Sequence, residues 1–165
     1  MNDFLHFTTR GEPRWSSFDV HEVVREVLES FAPQCAARGI VTEADVPAGT
    51  RLVADRELFR RALLQLVVNA MDAMPRGGEL DVTCWSGPSG LELEVSDSGA
   101  GVDEATQSRM FEPHFTTKPD RQGMGLAVVR RVVEAHGGRV WAANCPQGGA
   151  ALTLAFPQRA MKAAA

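Results

Sequence analysis

Apolar residues recur every three to four positions in two long segments, which is the spacing of one face of a helix. The first segment follows Asp19 and ends by Gly39, and the second follows Asp55 and ends before Pro75. Aspartate is a common N-terminal helix cap, and glycine and proline commonly end helices. The pattern therefore predicts two helices whose core-facing residues are Val20, Val23, Val24, Val27, Leu28 and Phe31 in the first and Leu58, Ala62, Leu63, Leu66, Val67 and Ala70 in the second.

Shorter segments have the alternation or the β-branched composition of strands. They are 40–46, 50–54, 78–85, 91–97, 139–144 and 150–156. The turn at Pro47-Ala48-Gly49 favours pairing of the first two strands, and the turn at 87–90 joins the next two into a hairpin with one buried face. A short helix at about 103–110 and a helix after Gly125 complete the pattern. This mixed order predicts an α+β domain, an α/β sandwich in which helices cover one face of a mixed, mostly antiparallel sheet and leave the other face open.

The composition restricts the environment and the partners of this domain. A chain of 165 residues with 44% hydrophobic content suits one soluble domain. The net charge of −4 and the scattered basic residues give no electrostatic reason for nucleic-acid binding. No apolar run approaches a membrane span and the N-terminus does not resemble a signal peptide, so we expect a cytoplasmic domain without membrane contact. Cys35, Cys84 and Cys145 are widely spaced and odd in number, which favours reduced thiols over disulfides or a zinc site.

The sequence Gly123-Met124-Gly125 stands directly before a predicted helix. One interpretation is a tight turn, because glycine accepts a positive φ. The other is an anion site, because the N-terminal N–H groups and dipole of a helix attract phosphate. A dinucleotide-binding fingerprint is not present, since no strand precedes the turn and the third glycine is missing. The turn alone leaves both interpretations open.

Three further motifs stand in a fixed order before this turn. They are "LLQLVVNAMDAM" at 63–74, "DSGAGV" at 97–102 and "FEPHFTTK" at 111–118. Taken singly, each has an ordinary explanation as a helix cap, a turn or a pair of core aromatics. Together with "GMGLAVVRRVVEAHGG" at 123–138 they resemble the N box, F box and two glycine boxes of the ATP-binding domain of sensor histidine kinases, in the wider family that includes gyrase, Hsp90 and MutL. The resemblance covers about residues 14–159.

The resemblance implies the Bergerat fold, with ATP held between the helices under a mobile lid at 111–122. It implies that Asn69 is a Mg²⁺ ligand, that Asp97 accepts a hydrogen bond from the adenine amino group, and that Lys118 and Arg121 are candidate phosphate contacts. For Arg121, a solvated loop charge is an equally good interpretation. Asn69 and Lys118 would act in the transfer step itself. The nucleotide-binding residues that it implies are Asn69, Asp72, Ala73, Asp97, Gly99, Gly101, Val102, Phe111, Phe115, Thr116, Thr117, Lys118, Gly123, Met124, Gly125, Leu126 and Thr153.

The chain departs from the family pattern at three positions. Gln65 stands where ATP-hydrolysing relatives carry a catalytic glutamate, and glutamine cannot accept a proton as a general base. Asp72 stands where several histidine kinases have a basic residue, which weakens the expected triphosphate site. Ala151 replaces a threonine or serine that supports the adenine-binding aspartate, and Thr153 is expected on the same face as a substitute.

The function implied by the resemblance is that of the catalytic domain of a two-component sensor histidine kinase. The γ-phosphoryl group of ATP would pass to a histidine on a separate helical hairpin and then to a response-regulator receiver domain. His21 begins "HEVVREV", which imitates the start of an acceptor motif but lacks its Asn-Pro and lies in the first helix, so it is not expected to be the acceptor. We therefore expect residues 1–13 to end the preceding hairpin and linker, 14–159 to form the ATP-binding domain, and 160–165 to be a tail.

Two alternative functions stay open. The chain could be a nucleotide-binding regulatory module without catalysis, or an anti-sigma-type serine kinase of the same superfamily, although such a kinase would require a carboxylate at the position of Gln65. Because family dimers form through the hairpin, we expect the fragment to be a monomer and the full-length protein to be a homodimer.

Overall fold

The computed structural model describes residues 12–117 and 123–160. The elements in chain order are β1 (Trp15–Asp19), α1 (Val20–Arg38), β2 (Ile40–Asp45), β3 (Arg51–Asp55), α2 (Arg56–Ala73), β4 (Gly78–Gly87), β5 (Gly90–Asp97), α3 (Glu104–Arg109), α4 (Gly125–Ala135), β6 (Arg139–Asn144) and β7 (Ala150–Pro157).

The main sheet has five strands in the order β2-β4-β5-β7-β6. Only β2 and β4 run parallel, and the other neighbouring pairs are antiparallel. Alternate residues on the central strands are buried beneath the helices: Leu80, Val82, Leu91, Leu93, Val95, Leu152, Leu154 and Phe156. The opposite face is open, and Trp85 is 51% exposed there. The predicted fold class, a mixed and mostly antiparallel sheet with helices on one face, is confirmed.

The first two predicted strands do not pair with each other. β2 runs parallel to β4, whereas β3 pairs with β1 in a separate two-stranded sheet, with Trp15 opposite Asp55. The prediction assumed a local hairpin across the turn at 47–49. Instead, both strands find their partners among distant parts of the chain.

The predicted helix caps are present. The Asp19 carboxylate accepts the backbone N–H of His21, and the Asp55 carboxylate accepts those of Glu57 and Leu58. Each carboxylate satisfies N–H groups that the first helical turn leaves unpaired. Gly39 ends α1 with a φ of 69°, a left-handed conformation that glycine adopts without a steric penalty.

The imidazole of His136 connects the C-terminal end of α4 to the start of α2. It is 4% exposed, its Nε2 accepts the backbone N–H of Asp55 at 2.9 Å, and its Nδ1 donates to the carbonyl of Val132 at 2.7 Å. Trp15 of β1 packs edge-on against the ring at 5.1 Å between centroids, and the Arg159 guanidinium lies over Trp15. Because Nε2 accepts a hydrogen bond and must therefore carry no proton, this arrangement requires the neutral ring.

The His136 hydrogen bond is expected to make stability fall on acidification below pH 6.5. Burial lowers the pKa of the imidazole from its ordinary 6.5, outweighing the opposing effects of the Val132 carbonyl and Asp55. The unfolded chain therefore takes up the proton first, so the stabilisation is complete above pH 6.5 and is lost as the pH falls toward the lowered folded-state pKa. The loss in the free energy of unfolding is at most about 1.4 kcal/mol per pH unit for one proton.

Thermal unfolding from pH 7.5 to 5.5 would measure this loss. His136→Gln keeps a donor and an acceptor but does not titrate, so it should flatten the dependence of stability on pH. Identical profiles for the two proteins would contradict this role.

Candidate functional site

The amides of Gln65 and Asn69 lie one turn apart on α2 and are half-buried. A Cβ placed on Gly125 would lie 2.6 Å from Gln65 Oε1, so the glutamine side chain reaches the first residue of α4. Among the described residues, neither amide side chain forms a hydrogen bond. The structure thus brings the Gln65 amide to the head of the helix that follows the Gly-Met-Gly turn, with the Asn69 amide one helical turn further along α2.

The first turn of α4 has no side-chain cap. Met124 occupies the N-cap position without a capping hydrogen bond, and the half-buried Leu126 packs against the hydrophobic core. The N-terminal N–H groups of a helix in this state favour an anion. An uncapped helix end beside Gln65 is what the anion-site interpretation of the turn requires.

Asp97 ends β5 with a carboxylate that is only 5% exposed. Its Oδ1 accepts the backbone N–H of Gly99 at 2.9 Å and that of Ala150 at 3.4 Å. A Cβ on Gly99 would lie 2.5 Å from the carbonyl oxygen of Ala73, at the end of α2. The structure therefore brings Ala73, Asp97 and Gly99 together where the sheet meets the second helix.

The glycines of this loop are required by protein neighbours. The family resemblance places Gly99 and Gly101 among the nucleotide-binding residues, but the atoms that a side chain at either position would meet belong to the chain itself. For Gly99 they are the Ala73 carbonyl and the Asp97 carboxylate, and for Gly101 they include Asn144 Oδ1 at 2.9 Å. Gly101 also has a φ of 74°, which disfavours any other residue.

The segment from Phe111 to Thr117 contains neither helix nor strand and is only partly fastened to the core. Phe111 is 8% exposed and joins the hydrophobic core, and Phe115 is half-buried with the Arg109 guanidinium 4.7 Å from its ring centroid. Thr116 and Thr117 are exposed. Mobility is thus not expected at Phe111, where the predicted lid begins.

Gly123, which follows the predicted lid, lies against the backbone of His114 and Phe115. This residue has a φ of 66°, and a Cβ on it would lie 2.5 Å from the carbonyl oxygen of Phe115. A glycine is therefore needed where the segment returns to α4, as the tight-turn interpretation requires. Lys118 and Arg121, the predicted phosphate contacts, lie outside the described residues.

Asp72 is paired with a cation from α1. Arg38 Nη1 lies 3.8 Å from Asp72 Oδ1, and the Asp72 side chain is 16% exposed. The predicted effect of this carboxylate was to weaken binding of the triphosphate. The adjacent guanidinium reduces that penalty, because the two charges largely cancel at a distance.

Thr153 does not support Asp97, contrary to the sequence prediction. Its hydroxyl donates to Glu94 Oε2 at 3.2 Å, and it lies on the open face of the sheet, opposite the face that carries Asp97. Ala151 pairs with Ser96 on that same open face, so it does not stand beside Asp97 either. The residue beside Asp97 is Ala150, and the prediction was displaced by one position, which moves a side chain to the other face of a strand.

Two residues that contact the 97–102 loop were not predicted. Gly149 has a φ of 85° and packs against the backbone of Asp97. Asn144 forms hydrogen bonds with the backbone of Val102, which is half-buried and packed against the core. The segment "NCPQGG" at 144–149 reads as an ordinary turn, and its only signal was the pair of glycines.

Protein side chains alone do not form a metal centre within 12–117 and 123–160. No group of three or more histidine, cysteine, aspartate or glutamate side chains is placed there to hold an ion. In the same two stretches, no helix combines the length and apolar character needed to cross a membrane. A metal ion bound near Asn69 would have to be shared with a ligand and water, which is the usual situation for Mg²⁺ with phosphates.

Comparisons with known proteins agree with this geometry. A family model described as histidine kinase-, DNA gyrase B-, and HSP90-like ATPase matches residues 54–160. The sensor histidine kinase ZraS of Klebsiella oxytoca is 33% identical over 159 residues, which are 95% of this chain and 34% of ZraS. The chain therefore spans about a third of that relative.

Solved structures with the same fold include a nucleotide-free catalytic domain of the histidine kinase ThkA, with a TM-score of 0.81, 27% identity, and coverage of 87% of this chain and 95% of that one. Full-length ShkA in complex with AMPPNP has a TM-score of 0.81 and 26% identity, covering 96% of this chain and 36% of ShkA.

Proposed function

The chain belongs to the family of histidine kinase-, DNA gyrase B- and HSP90-like ATPases, and from this premise we propose that it is the ATP-binding catalytic domain of a two-component sensor histidine kinase. The observation that carries the proposal is that α2, which carries Asn69, contacts both the loop after Asp97, through Ala73 and Gly99, and the uncapped head of α4, through Gln65 and Gly125. The similarity to ZraS extends over 95% of the chain, and ShkA, with the same fold, was solved with an ATP analogue. Both support the histidine kinase branch of the family.

In the proposed complex, Asp97 accepts a hydrogen bond from the adenine amino group. Its other contacts support this role, because the Gly99 and Ala150 N–H groups fix the carboxylate in place. The loop of Gly99, Gly101 and Val102 lies beside the base, with Ala73 and Asp72 at the end of α2. The site is completed by two further groups. The first is the core residue Phe111 with the lid residues Phe115, Thr116, Thr117 and Lys118, and the second is the turn and helix start at Gly123, Met124, Gly125 and Leu126.

The triphosphate is proposed to meet the N-terminus of α4, with Mg²⁺ held by Asn69. An amide oxygen is a hard, neutral ligand that suits an ion retaining several waters. When bound, Mg²⁺ neutralises charge on the transferring phosphoryl group. The Asn69 side chain fits this role because it has no competing hydrogen bond in the described residues.

The acceptor is proposed to be a histidine on a helical hairpin outside the domain, with a response-regulator receiver domain as the next partner. His21 is unsuited to the role, since it lies within α1 and its Nδ1 is 2.6 Å from the Val46 carbonyl oxygen. Histidine supplies its own nucleophile, so the absence of a carboxylate at Gln65 is compatible with transfer.

The proposed domain limits are 14–159, between hairpin and linker residues at 1–13 and a tail at 160–165. Two contacts support them. The Arg14 backbone N–H donates to Asp55 Oδ2 at 2.8 Å, and the Arg159 guanidinium lies 3.6 Å from the Trp15 ring centroid. The two ends of the domain thus pack near one another.

Phosphotransfer is expected only when a hairpin is supplied. The chain should be incubated with radiolabelled Mg-ATP, alone and with the hairpin of the parent protein, and the label tested for acid stability. Acid-labile label on the hairpin and none on the chain itself is the expected result, with Asn69→Ala as the blank. Acid-stable label on serine would indicate a serine kinase, and nucleotide binding without any label would indicate a regulatory module.

A further inference from the structure

The side-chain amide of Asn144 bonds both polar groups of one residue, Val102. Asn144 Oδ1 accepts the Val102 N–H at 2.8 Å, and Asn144 Nδ2 donates to the Val102 carbonyl at 2.8 Å. A paired β-strand residue makes the same two bonds. Asn144 ends β6, so an edge strand of the sheet continues its hydrogen bonding through a side chain.

This pairing needs an amide. Asparagine and glutamine carry a donor and an acceptor in one plane, whereas ionised aspartate only accepts and serine has a single oxygen. A second amide adds to the contact, because Gln107 Nε2 of α3 also donates to the Val102 carbonyl, at 2.9 Å. Two side chains from different elements therefore donate to the same carbonyl group, that of Val102.

Val102 ends the loop that begins at Asp97. The start of this loop is fixed by the sheet, since the Ser98 N–H donates to the Glu79 carbonyl. Ala100 and Gly101 form no hydrogen bond within the described residues. Within the described residues, the hydrogen bonds that hold the far end of this loop therefore come from Asn144 and Gln107, beside the packing of the Val102 side chain on the core.

The contact between Asn144 and Val102 lies directly before the start of α3. Asp103 follows Val102 and caps α3 by accepting the Thr106 N–H at 2.9 Å. The close approach of Asn144 Oδ1 to Gly101 also explains the glycine there, because a Cβ would lie 2.9 Å from that oxygen. The loop 97–102, the start of α3 and the end of β6 therefore meet at one residue, Val102.

We propose that Asn144 is a positioning residue for nucleotide binding: it holds Val102 so that the loop 97–102 keeps the conformation that receives the base. The inference rests on the proposed ATP site, but Asn144 itself does not contact the nucleotide. The amide is exposed, so its bonds contribute little to overall folding. Its loss is expected to reduce affinity more than stability.

The test measures ADP binding by calorimetry for the wild type and for three variants. Asn144→Leu removes both bonds and should weaken binding about tenfold, as expected for two ordinary hydrogen bonds. Asn144→Asp keeps the acceptor for the Val102 N–H, and Gln107→Ala removes one of two donors to the Val102 carbonyl, so each should weaken binding about threefold. Arg51→Ala, which removes exposed bonds to Ser17 far from the loop, is the control and should bind like the wild type.

Two further readouts separate positioning from general destabilisation. Hydrogen exchange at the Val102 amide should accelerate in Asn144→Leu and stay near the wild-type rate in Asn144→Asp. In phosphotransfer with the hairpin, KM for ATP should rise while kcat at saturating ATP stays unchanged. Wild-type affinity in Asn144→Leu, or a loss matched by Arg51→Ala, would overturn the inference, whereas failure of the wild type to bind ADP would overturn the proposed function instead.

Discussion

Replacing Asn69 by alanine is expected to abolish Mg²⁺-dependent ATP binding and phosphoryl transfer while leaving the fold intact. The side chain is half-buried on α2, one turn from Gln65, and bonds no other described residue, so its removal leaves no partner unsatisfied. The amide oxygen is the ligand that we assign to Mg²⁺, and no carboxylate or histidine cluster in the described chain could replace it. Calorimetry of ATP with and without Mg²⁺ measures the effect.

The control lies within the same experiment. In the absence of Mg²⁺ the variant should bind nucleotide as the wild type does, and the melting temperature of the nucleotide-free protein should be unchanged. An equal gain in affinity on adding Mg²⁺ to both proteins would remove Asn69 from the metal site.

The elements of the fold were predictable wherever the signal was local. The caps Asp19 and Asp55 and the alternation of Leu91, Leu93 and Val95 each act within one turn or one strand, and the structure confirms them. The pairing of β2 with β4 was not predictable, because nothing near 40–45 indicates a parallel partner beyond two intervening elements. β1 was missed because only Trp15 and Phe18 in its five residues carry an apolar strand signal.

In the candidate site, too, residues in local motifs were predictable, whereas residues whose role depends on distant parts of the chain were not. Asn69, Asp97 and the Gly123-Met124-Gly125 turn stand in recognisable motifs, and the structure places them along α2, β5 and the head of α4. The prediction that Thr153 supports Asp97 was wrong because strand register decides which face a side chain occupies, and sequence alone left that register open by one residue. Asn144 gave no signal because its partner Val102 is 42 residues away.

Replacing Gln65 by glutamate is expected to convert slow ATP hydrolysis into a measurable activity. The Gln65 side chain reaches the first residue of α4, where the phosphates are proposed to bind. An amide there can orient a water molecule but cannot take its proton, so the wild-type chain should hydrolyse ATP very slowly. A carboxylate adds a base at the same position, and positioned general bases typically contribute about 10²–10⁴-fold.

The surroundings of Gln65 allow the glutamate substitution to be tested without disturbing other contacts. Gln65 makes no hydrogen bond in the described residues, so glutamate of the same length enters without orphaning a partner, and the absence of a side chain on Gly125 leaves the carboxylate room. Steady-state phosphate release should be compared for the wild type and Gln65→Glu at saturating Mg-ATP, with Asn69→Ala as the blank. Even a tenfold rise would exceed so low a baseline and would place position 65 beside the γ-phosphate. Brisk hydrolysis by the wild type would contradict a site built for transfer alone, and an unchanged rate in the variant would mean that the side chain at 65 supports α4 without facing the reacting water.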